Sequence, residues 1–184
     1  SGKSVLDFGG NKGNLLFDTT CSIRHRDYYC VDVIRDAIKY GQNMFPDAHW
    51  AHYDRHNCSF NPEGIHDLPI PEFGRKFDII LAYSVFTHTT LEEMKDLVAQ
   101  LESMLEDSGT LAFTFIDPHW NKNLQWRLDR SNSRPDPADL LNRSQNARWC
   151  SLVNGELFIE SNGEWSNDTE SCRTYHVFYT EEFM

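Results

Sequence analysis

Acidic and imidazole side chains follow four apolar stretches of this sequence, near the point where each stretch ends. Asp32 closes YYCVD, Asp54 closes AHWAHYD, and Asp7 stands inside VLDF just before a glycine-rich turn. A carboxylate at the end of a strand can accept hydrogen bonds from both hydroxyls of a ribose. His88 follows the fourth stretch, FDIILAYSV, and the near-neutral pKa that is ordinary for histidine suits a general base. The pattern predicts a ligand site with a proton acceptor.

A turn rich in glycine follows the first stretch and contains Gly9, Gly10 and Gly13. A dinucleotide-binding fingerprint reads G-x-G-x-x-G, but Phe8 stands where its first glycine belongs. The initial SGKS contains the Gly-Lys-Ser of a P-loop, yet it lacks the preceding strand and the earlier glycine that a P-loop needs. Neither phosphate-binding motif fits, so the turn predicts another kind of ligand.

The elements that position these residues alternate between strand patterns and helix patterns. Strands are predicted at VLDF, YYCVDV, AHWAHYD, FDIILAYSV and TLAFTFI, and helices at NLLFDTT, at IRDAIKYGQNM and after a capping box of Thr90 and Glu93. Gly109 is predicted to end the third helical region. Such alternation is typical of an α/β, doubly wound, mostly parallel sheet with helices on both faces. Ligands of such sheets bind beyond the carboxyl ends of the strands.

The pattern changes after the fifth strand, so we predict a core at residues 1–118 and a different region at residues 119–184. In the latter, CSLVNGELFIE indicates a β-hairpin turning at Asn154-Gly155, and SCRTYHVFYT indicates a further strand. This β-rich insertion is either a substrate-side lid or a structural extension, and the start of the C-terminal part of the same domain follows it. The abrupt ends of the chain are compatible with a domain of a longer protein.

Two stretches resemble motifs of the class I S-adenosylmethionine-dependent methyltransferases, a Rossmann-like family. VLDFGGNKG is similar to the family's V-L-D-x-G-x-G-x-G, except that Asn11 replaces the middle glycine. Asn tolerates positive φ better than most residues. FDIILAYSVFTH is similar to the fourth-strand motif, in which Phe77, Asp78 and His88 match. The resemblance covers roughly residues 4 to 118 and implies a seven-stranded sheet, of which five strands are visible.

The resemblance implies S-adenosylmethionine as the cofactor. This compound carries a positive ammonium and a positive sulfonium, which explains a carboxylate at Asp7 beside the turn. Asp32 would accept the ribose hydroxyls, Asp54 would lie near the adenine amino group, and Arg55 would flank the ring. The residues expected to bind the cofactor are Asp7, Gly9, Gly10, Asn11, Gly13, Asp32, Val33, Asp54, Arg55, Ala82 and Tyr83.

The resemblance also implies methyl transfer to an acceptor nucleophile. His88 is the first candidate for the base that takes a hydroxyl proton, and His119 is the second. Substrate contacts are expected from Phe86, Asp117 and Trp120. No N-P-P-Y-like motif follows the fourth strand, which counts against adenine or glutamine N-methylation. A small-molecule acceptor and O-methylation are therefore favoured over N- or C-methylation.

Composition excludes several other classes of function. A formal net charge of −11 counts against nucleic acid as a partner. No apolar run approaches the roughly 20 residues of a membrane span, and five scattered cysteines indicate reduced thiols and a cytoplasmic location. His49, His52 and His56 lie on a predicted strand and loop, not on a helix, so no metal is expected. A nicotinamide-dependent oxidoreductase and a non-catalytic binding module stay open as alternatives.

Overall fold

The computed structural model describes residues 2–18, 20, 22–57, 60–89, 91–114, 149–153, 156–159 and 175–179. The chain divides into two compact units. One comprises Ser1–Phe86 with Thr90–Thr114, and the other comprises Thr87–Thr89 with Phe115–Met184. None of the helices in the described ranges combines the length and apolar character that crossing a membrane takes.

The first unit contains a five-stranded parallel sheet in the order β3-β2-β1-β4-β5. Its strands are β1 (Val5–Phe8), β2 (Tyr28–Asp32), β3 (His49–His52), β4 (Phe77–Ala82) and β5 (Leu105–Phe113). The helices are α1 (Asn14–Phe17), α2 (Arg35–Met44) and α3 (Leu91–Ser103), with 3-10 helices at His25–Asp27 and Phe86–His88. This order confirms the predicted α/β fold, and the chain changes direction across the sheet between β1 and β4.

Strands β1 and β2 are buried along their whole length, which is why their sequences are mostly apolar. On one face, Tyr28 and Cys30 of β2 pack with Ile38 of α2 and with Ala48. The indole of Trp50 lies beside this cluster and is fixed by a hydrogen bond of 3.1 Å from its Nε1 to the Phe45 carbonyl.

The Trp50 ring explains two glycines that lie far apart in the sequence. A Cβ at Gly13 would lie 2.5 Å from the ring, and a Cβ at Gly41 would lie 2.3 Å from it. Gly41 belongs to α2 and Gly13 to the turn after β1, so both segments approach the same indole closely. The glycines thus allow α2 and the turn to pack together over β3.

The prediction that Gly109 ends the third helical region is wrong. Helix α3 ends at Ser103, and Gly109 lies within β5, which begins at Leu105 and not at Thr110. The pairing of β4 with β5 shifts register between Phe77 and Ile79, and a Cβ at Gly109 would lie 2.9 Å from the Phe77 carbonyl. The glycine therefore serves an irregularity of the strand pair, a role that glycine also has in sheets.

Two further predicted boundaries differ from the structure. Strand β3 ends at His52, two residues before Asp54, and α1 is a single turn of Asn14–Phe17. Tyr53 still donates its backbone N–H to the Asp32 carbonyl over 2.9 Å, so the chain continues beside β2 after the strand ends. Thr90 of the predicted capping box lies outside the described residues.

The second unit contains three antiparallel strands in the order β7-β6-β8, namely β6 (Trp149–Val153), β7 (Glu156–Ile159) and β8 (Tyr175–Tyr179). Val153 pairs with Glu156. The predicted turn at residues 154–155 and the predicted boundary after residue 118 lie outside the described residues. The β-rich insertion and the division at that boundary stay predictions.

Gly41→Ala provides a test of the Trp50 packing. Replacing an interior helical glycine by alanine ordinarily stabilises a helix by about 1 kcal/mol. Here the new methyl would meet the fixed indole and the Lys12 carbonyl, at 2.3 and 2.9 Å. We therefore expect the free energy of unfolding in urea to fall by about 1–3 kcal/mol. Asn43→Ala, on the exposed part of the same helix, is the matched control, and a stabilised Gly41→Ala protein would contradict the packing.

Candidate cofactor site

The turn after β1 has a left-handed backbone at three positions. The φ angles are 77° at Gly9, 55° at Asn11 and 81° at Gly13. The N–H groups of Gly9 and Gly10 both donate to the Val31 carbonyl, over 2.8 and 3.3 Å. Asn11 therefore has a left-handed conformation at the place of the middle glycine of the motif, and the turn is bound to the end of β2.

Asp32 accepts backbone hydrogen bonds at both carboxylate oxygens, and one of these bonds ties the turn to the end of β2. The backbone N–H of Asn11 donates to Oδ2 over 2.7 Å, and that of Ile34 donates to Oδ1 over 2.8 Å. The residue is 6% exposed. Burial raises the pKa of Asp32, and the bonds from Ile34 and Asn11 oppose that rise. An ionised carboxylate has about four acceptor positions, so Asp32 can still accept a ligand hydroxyl beside its backbone bonds.

Asp7 lies beneath the turn and is only 4% exposed. Its Oδ2 accepts a hydrogen bond of 2.5 Å from the Tyr28 hydroxyl. A Cβ at Gly10 would lie 2.6 Å from the Asp7 carboxylate and 2.8 Å from the Cys30 sulfur, so the bare backbone of Gly10 covers both groups. The pKa of Asp7 is raised from 3.8 to about 6, chiefly by burial. The hydrogen bond from Tyr28 lowers the pKa, and the neighbouring Asp32 carboxylate raises it further.

Asp54 and Arg55 follow β3. The sequence predicts that Arg55 flanks a cofactor ring, and in the structure its guanidinium contacts groups of the protein. Its guanidinium is 5% exposed and donates to Asp96 Oδ2 over 2.9 Å, to the Leu68 carbonyl over 3.1 Å and to the Tyr53 hydroxyl over 3.2 Å. These bonds fasten the loop after β3 to α3. The guanidinium is thus turned inward, and it does not present a free face to a ring.

The Asp54 carboxylate has fewer hydrogen bonds in the structure than the Arg55 guanidinium has. Its Oδ1 accepts a hydrogen bond of 3.2 Å from Asn61 Nδ2, and its backbone carbonyl accepts one of 2.7 Å from the Ile65 N–H. Asn61 also donates to the Arg55 carbonyl over 3.0 Å. The carboxylate is half-buried, and these bonds hold it in place at the end of β3.

The end of β4 faces the turn. Ala82 is completely buried, whereas Tyr83 is 76% exposed. Ser84 has a φ of 58°, and its N–H donates to Thr114 Oγ1 over 2.7 Å. A Cβ at Gly9 would lie 2.4 Å from a methyl carbon of Val85. The β4 loop therefore touches the glycine turn through Val85, a residue that the sequence analysis did not single out.

The remaining predicted residues divide into three groups. Phe86 is fully buried and meets the Phe113 ring edge to face at 5.3 Å, and its role as a substrate contact stays a prediction. His88 ends the 3-10 helix Phe86–His88. Asp117, His119 and Trp120 lie outside the described residues.

Asp78, which matches the fourth-strand motif, lies at the opposite end of the sheet from the turn. Its Oδ2 accepts bonds from the N–H and the hydroxyl of Ser4, over 2.8 and 3.0 Å. Its own N–H donates to the Ser4 hydroxyl over 3.1 Å. This residue therefore joins the beginnings of β1 and β4 and has a structural role.

Within the described ranges, no group of three or more His, Cys, Asp or Glu side chains could hold a metal ion. His49 Nε2 lies 3.2 Å from the Arg26 carbonyl, and His52 Nε2 lies 3.2 Å from the Val33 carbonyl. His56 instead stacks on His66, with ring centroids 3.9 Å apart. Each of the three histidines thus has a separate partner.

Tyr28 is the main site residue that sequence reasoning missed. The parallel register pairs Asp7 with Cys30, and in a strand residues 28, 30 and 32 point to the same face. The available signal was that Tyr28 stands two residues before Cys30, the residue that pairs with Asp7. To use this signal, one must know the register of β1 against β2, which no single stretch of sequence contains.

Residues 6–111 match the family described as "Methyltransferase domain". Among solved structures, the DhpI-SAM-HEP complex aligns with 97% of this chain and 64% of its own, with a TM-score of 0.51 and 12% identity. PKMT2 from Rickettsia typhi in complex with AdoHcy aligns with 78% of this chain and 28% of its own, with a TM-score of 0.50 and 17% identity.

A third solved structure, Streptomyces venezuelae DesVI, aligns with 63% of this chain and 44% of its own, with a TM-score of 0.47 and 23% identity. These likenesses concern the fold. This chain spans less than two thirds of the length of each of the three proteins.

The raised pKa of Asp7 predicts a pH dependence of stability. The folded protein keeps a proton on Asp7 up to about pH 6, while the unfolded chain loses it near pH 4. The folded state therefore binds more protons in this window, and stability falls as the pH rises through it. We expect Asp7→Asn to gain roughly 2–3 kcal/mol relative to the wild type between about pH 4 and pH 7.

The measurement is urea unfolding of both proteins across that pH range. Tyr28→Phe removes the hydrogen bond that lowers the pKa of Asp7 in the folded state, so it should extend the upper end of the window to higher pH. A constant difference between the wild type and Asp7→Asn at every pH would show that the carboxyl does not titrate as its burial requires.

Proposed function

The chain belongs to the class I S-adenosylmethionine-dependent methyltransferases, and from that premise we propose that it transfers a methyl group from S-adenosylmethionine to a small-molecule acceptor. The observation that carries the proposal is the hydrogen bond of 2.7 Å between the Asn11 N–H and Asp32. It joins a glycine turn and a buried carboxylate at the carboxyl ends of neighbouring parallel strands, where ligands of such sheets bind.

The residues present fit this cofactor better than a phosphate-bearing one. Asp7 and Asp32 place two carboxylates at the turn, and no ion pair in the described part of the chain includes either of them. Buried charges of one sign favour a positive ligand and repel a pyrophosphate. The solved structures with TM-scores of 0.51 and 0.50 are complexes with SAM and AdoHcy, which supports the same cofactor.

Specific residues would hold each part of the cofactor. The free lone pairs of Asp32 would accept the ribose hydroxyls, with Val33 beside them, and Asp54 would accept the adenine amino group. The turn residues Gly9, Gly10, Asn11 and Gly13 would lie along the methionine part, with Asp7 behind them. The exposed ring of Tyr83 would face the sulfur. Arg55 would contribute by fixing the loop that carries Asp54.

Bound S-adenosylmethionine supplies a methyl group activated by the sulfonium. The chain contributes alignment of the acceptor and exclusion of water, effects that can reduce a barrier by several kcal/mol. For a hydroxyl acceptor, His88 would take the proton as the oxygen forms its bond to carbon. We propose His119 as the second candidate for this base, and Asp117 and Trp120 as substrate contacts.

The nature of the acceptor and the setting of the chain complete the proposal. O-methylation of a small molecule is favoured by a histidine after β4, by the strong negative charge and by the lack of an N-P-P-Y-like motif. A cytoplasmic location is consistent with five scattered cysteines. Residues 119–184 would form the substrate side.

Calorimetry of ligand binding tests the cofactor assignment. S-adenosylhomocysteine should bind with a dissociation constant on the order of micromolar, and NAD should not bind. Asp32→Asn should weaken the binding at least about tenfold, because a charge-assisted bond to a ribose hydroxyl becomes a neutral one. Asp36→Asn, which makes the same chemical change at a side chain that is 92% exposed, is the control.

Two results would replace this assignment by an alternative. Binding of NAD without S-adenosylhomocysteine would favour a nicotinamide-dependent oxidoreductase. Binding of neither ligand would favour a non-catalytic module that keeps the fold.

A second prediction concerns His88. With S-adenosylmethionine and a panel of phenols, alcohols and amines, a hydroxyl compound should be the best acceptor. His88→Ala should then lower kcat about 10²- to 10⁴-fold and flatten its rise with pH near neutrality. His25→Ala, which makes the same change at an exposed histidine outside the proposed site, is the control. An unchanged pH profile in His88→Ala would transfer the role of base to another residue, with His119→Ala as the next variant.

A further inference from the structure

Two buried carboxylates, Asp7 and Asp32, lie at the turn. Asp7 is 4% exposed and Asp32 is 6% exposed, and none of the ion pairs among the described residues involves them. Acidic side chains are almost never buried so completely unless they are paired. His52 provides some favourable charge for Asp32, whereas the pKa of Asp7 is not lowered by a basic side chain of the described residues.

The groups that face Asp7 come from β2 and from the turn. They are the Tyr28 hydroxyl, the Cys30 thiol and the Asp32 carboxylate, with the Gly10 backbone above. Burial raises the pKa of both Tyr28 and Cys30, so these two groups keep their protons and cannot supply a positive charge. Asp7 therefore changes its charge more readily than Tyr28 or Cys30 does, and Tyr28 stabilises the ionised form of Asp7 by donating to it.

We propose that Asp7, supported by Tyr28, makes the site select S-adenosylmethionine over S-adenosylhomocysteine, and that this selectivity is gained when Asp7 loses its proton. The inference rests on the proposed function and adds to it a specificity-determining residue and a means of product release. The two ligands share the adenosine, the ammonium and the carboxylate. They differ by one methyl group and by the positive charge on sulfur.

The physical argument concerns that one charge. Ionised Asp7 attracts a sulfonium across a medium of low dielectric, and it has no comparable attraction for a neutral thioether. Protonated Asp7 is neutral and cannot distinguish the two. Methyl transfer removes the charge on sulfur, so it also removes the attraction and favours release of the product.

The experiment is calorimetric titration of the chain with each ligand separately, from about pH 5 to about pH 7.5, which brackets the titration of Asp7. The ratio of the dissociation constant for S-adenosylhomocysteine to that for S-adenosylmethionine should rise about three- to tenfold with pH. In Asp7→Asn the ratio should be independent of pH. In Tyr28→Phe the rise should move to higher pH, because the hydrogen bond that stabilises the ionised carboxylate is lost.

Asp36→Asn should keep the wild-type dependence, because it removes an equal charge at the surface. A flat ratio in the wild type, with both ligands bound, would overturn this inference and leave the proposed function intact. A rise that persists in Asp7→Asn would assign the selectivity to another group and also overturn it. Failure of both ligands to bind would overturn the proposed function itself. If Asp7→Asn does not fold, the wild type and Tyr28→Phe decide the matter.

Discussion

The free energy of burying a carboxylate is the constraint on which the site depends. Asp7 is nearly sealed from water, and a carboxylate in such a place is stable only with hydrogen bonds, with an opposite charge or with a proton. Among the residues that the structure describes, Tyr28 supplies a hydrogen bond to Asp7, and no ion pair includes Asp7. The glycine turn above it is required by the same packing, because a side chain at Gly10 would collide with both Asp7 and Cys30.

Parallel pairing is what brings the components of the site together. Asp7 pairs with Cys30, so the ends of β1 and β2 lie side by side and the turn can donate from Asn11 to Asp32. On the other side, β4 pairs with β1, and its loop contacts Gly9 through Val85. Three segments that are distant in sequence therefore meet at one edge of the sheet, where a doubly wound fold binds its ligands.

The parts of this arrangement that depend on short stretches could be predicted from the sequence. Buried parallel strands produce continuous apolar runs, and a turn with left-handed residues requires glycine or asparagine, so β1, its turn and Asp32 were located correctly. Gly109 was misread because its role depends on the register of β4 against β5. A glycine that serves a strand irregularity looks the same in sequence as one that ends a helix.

The same reasoning explains contacts that the sequence did not predict. Arg55 bonds to Asp96, which is 41 residues away in the chain, and Phe86 packs on Phe113. Such partners are fixed by tertiary packing, which no local pattern reports. The Tyr28–Asp7 bond also required the strand register.

Stability and function are opposed at Asp7. Ionisation of a buried, unpaired carboxylate destabilises the folded chain near neutral pH. Selection for stability alone would replace such a carboxylate by a neutral residue. A positively charged ligand supplies the missing charge, so its binding stabilises the folded state by more than a neutral ligand of the same shape could. The instability of the folded chain near neutral pH and the proposed preference for a charged ligand then have one origin, the carboxylate of Asp7. A substitution that removed the instability would also remove the preference.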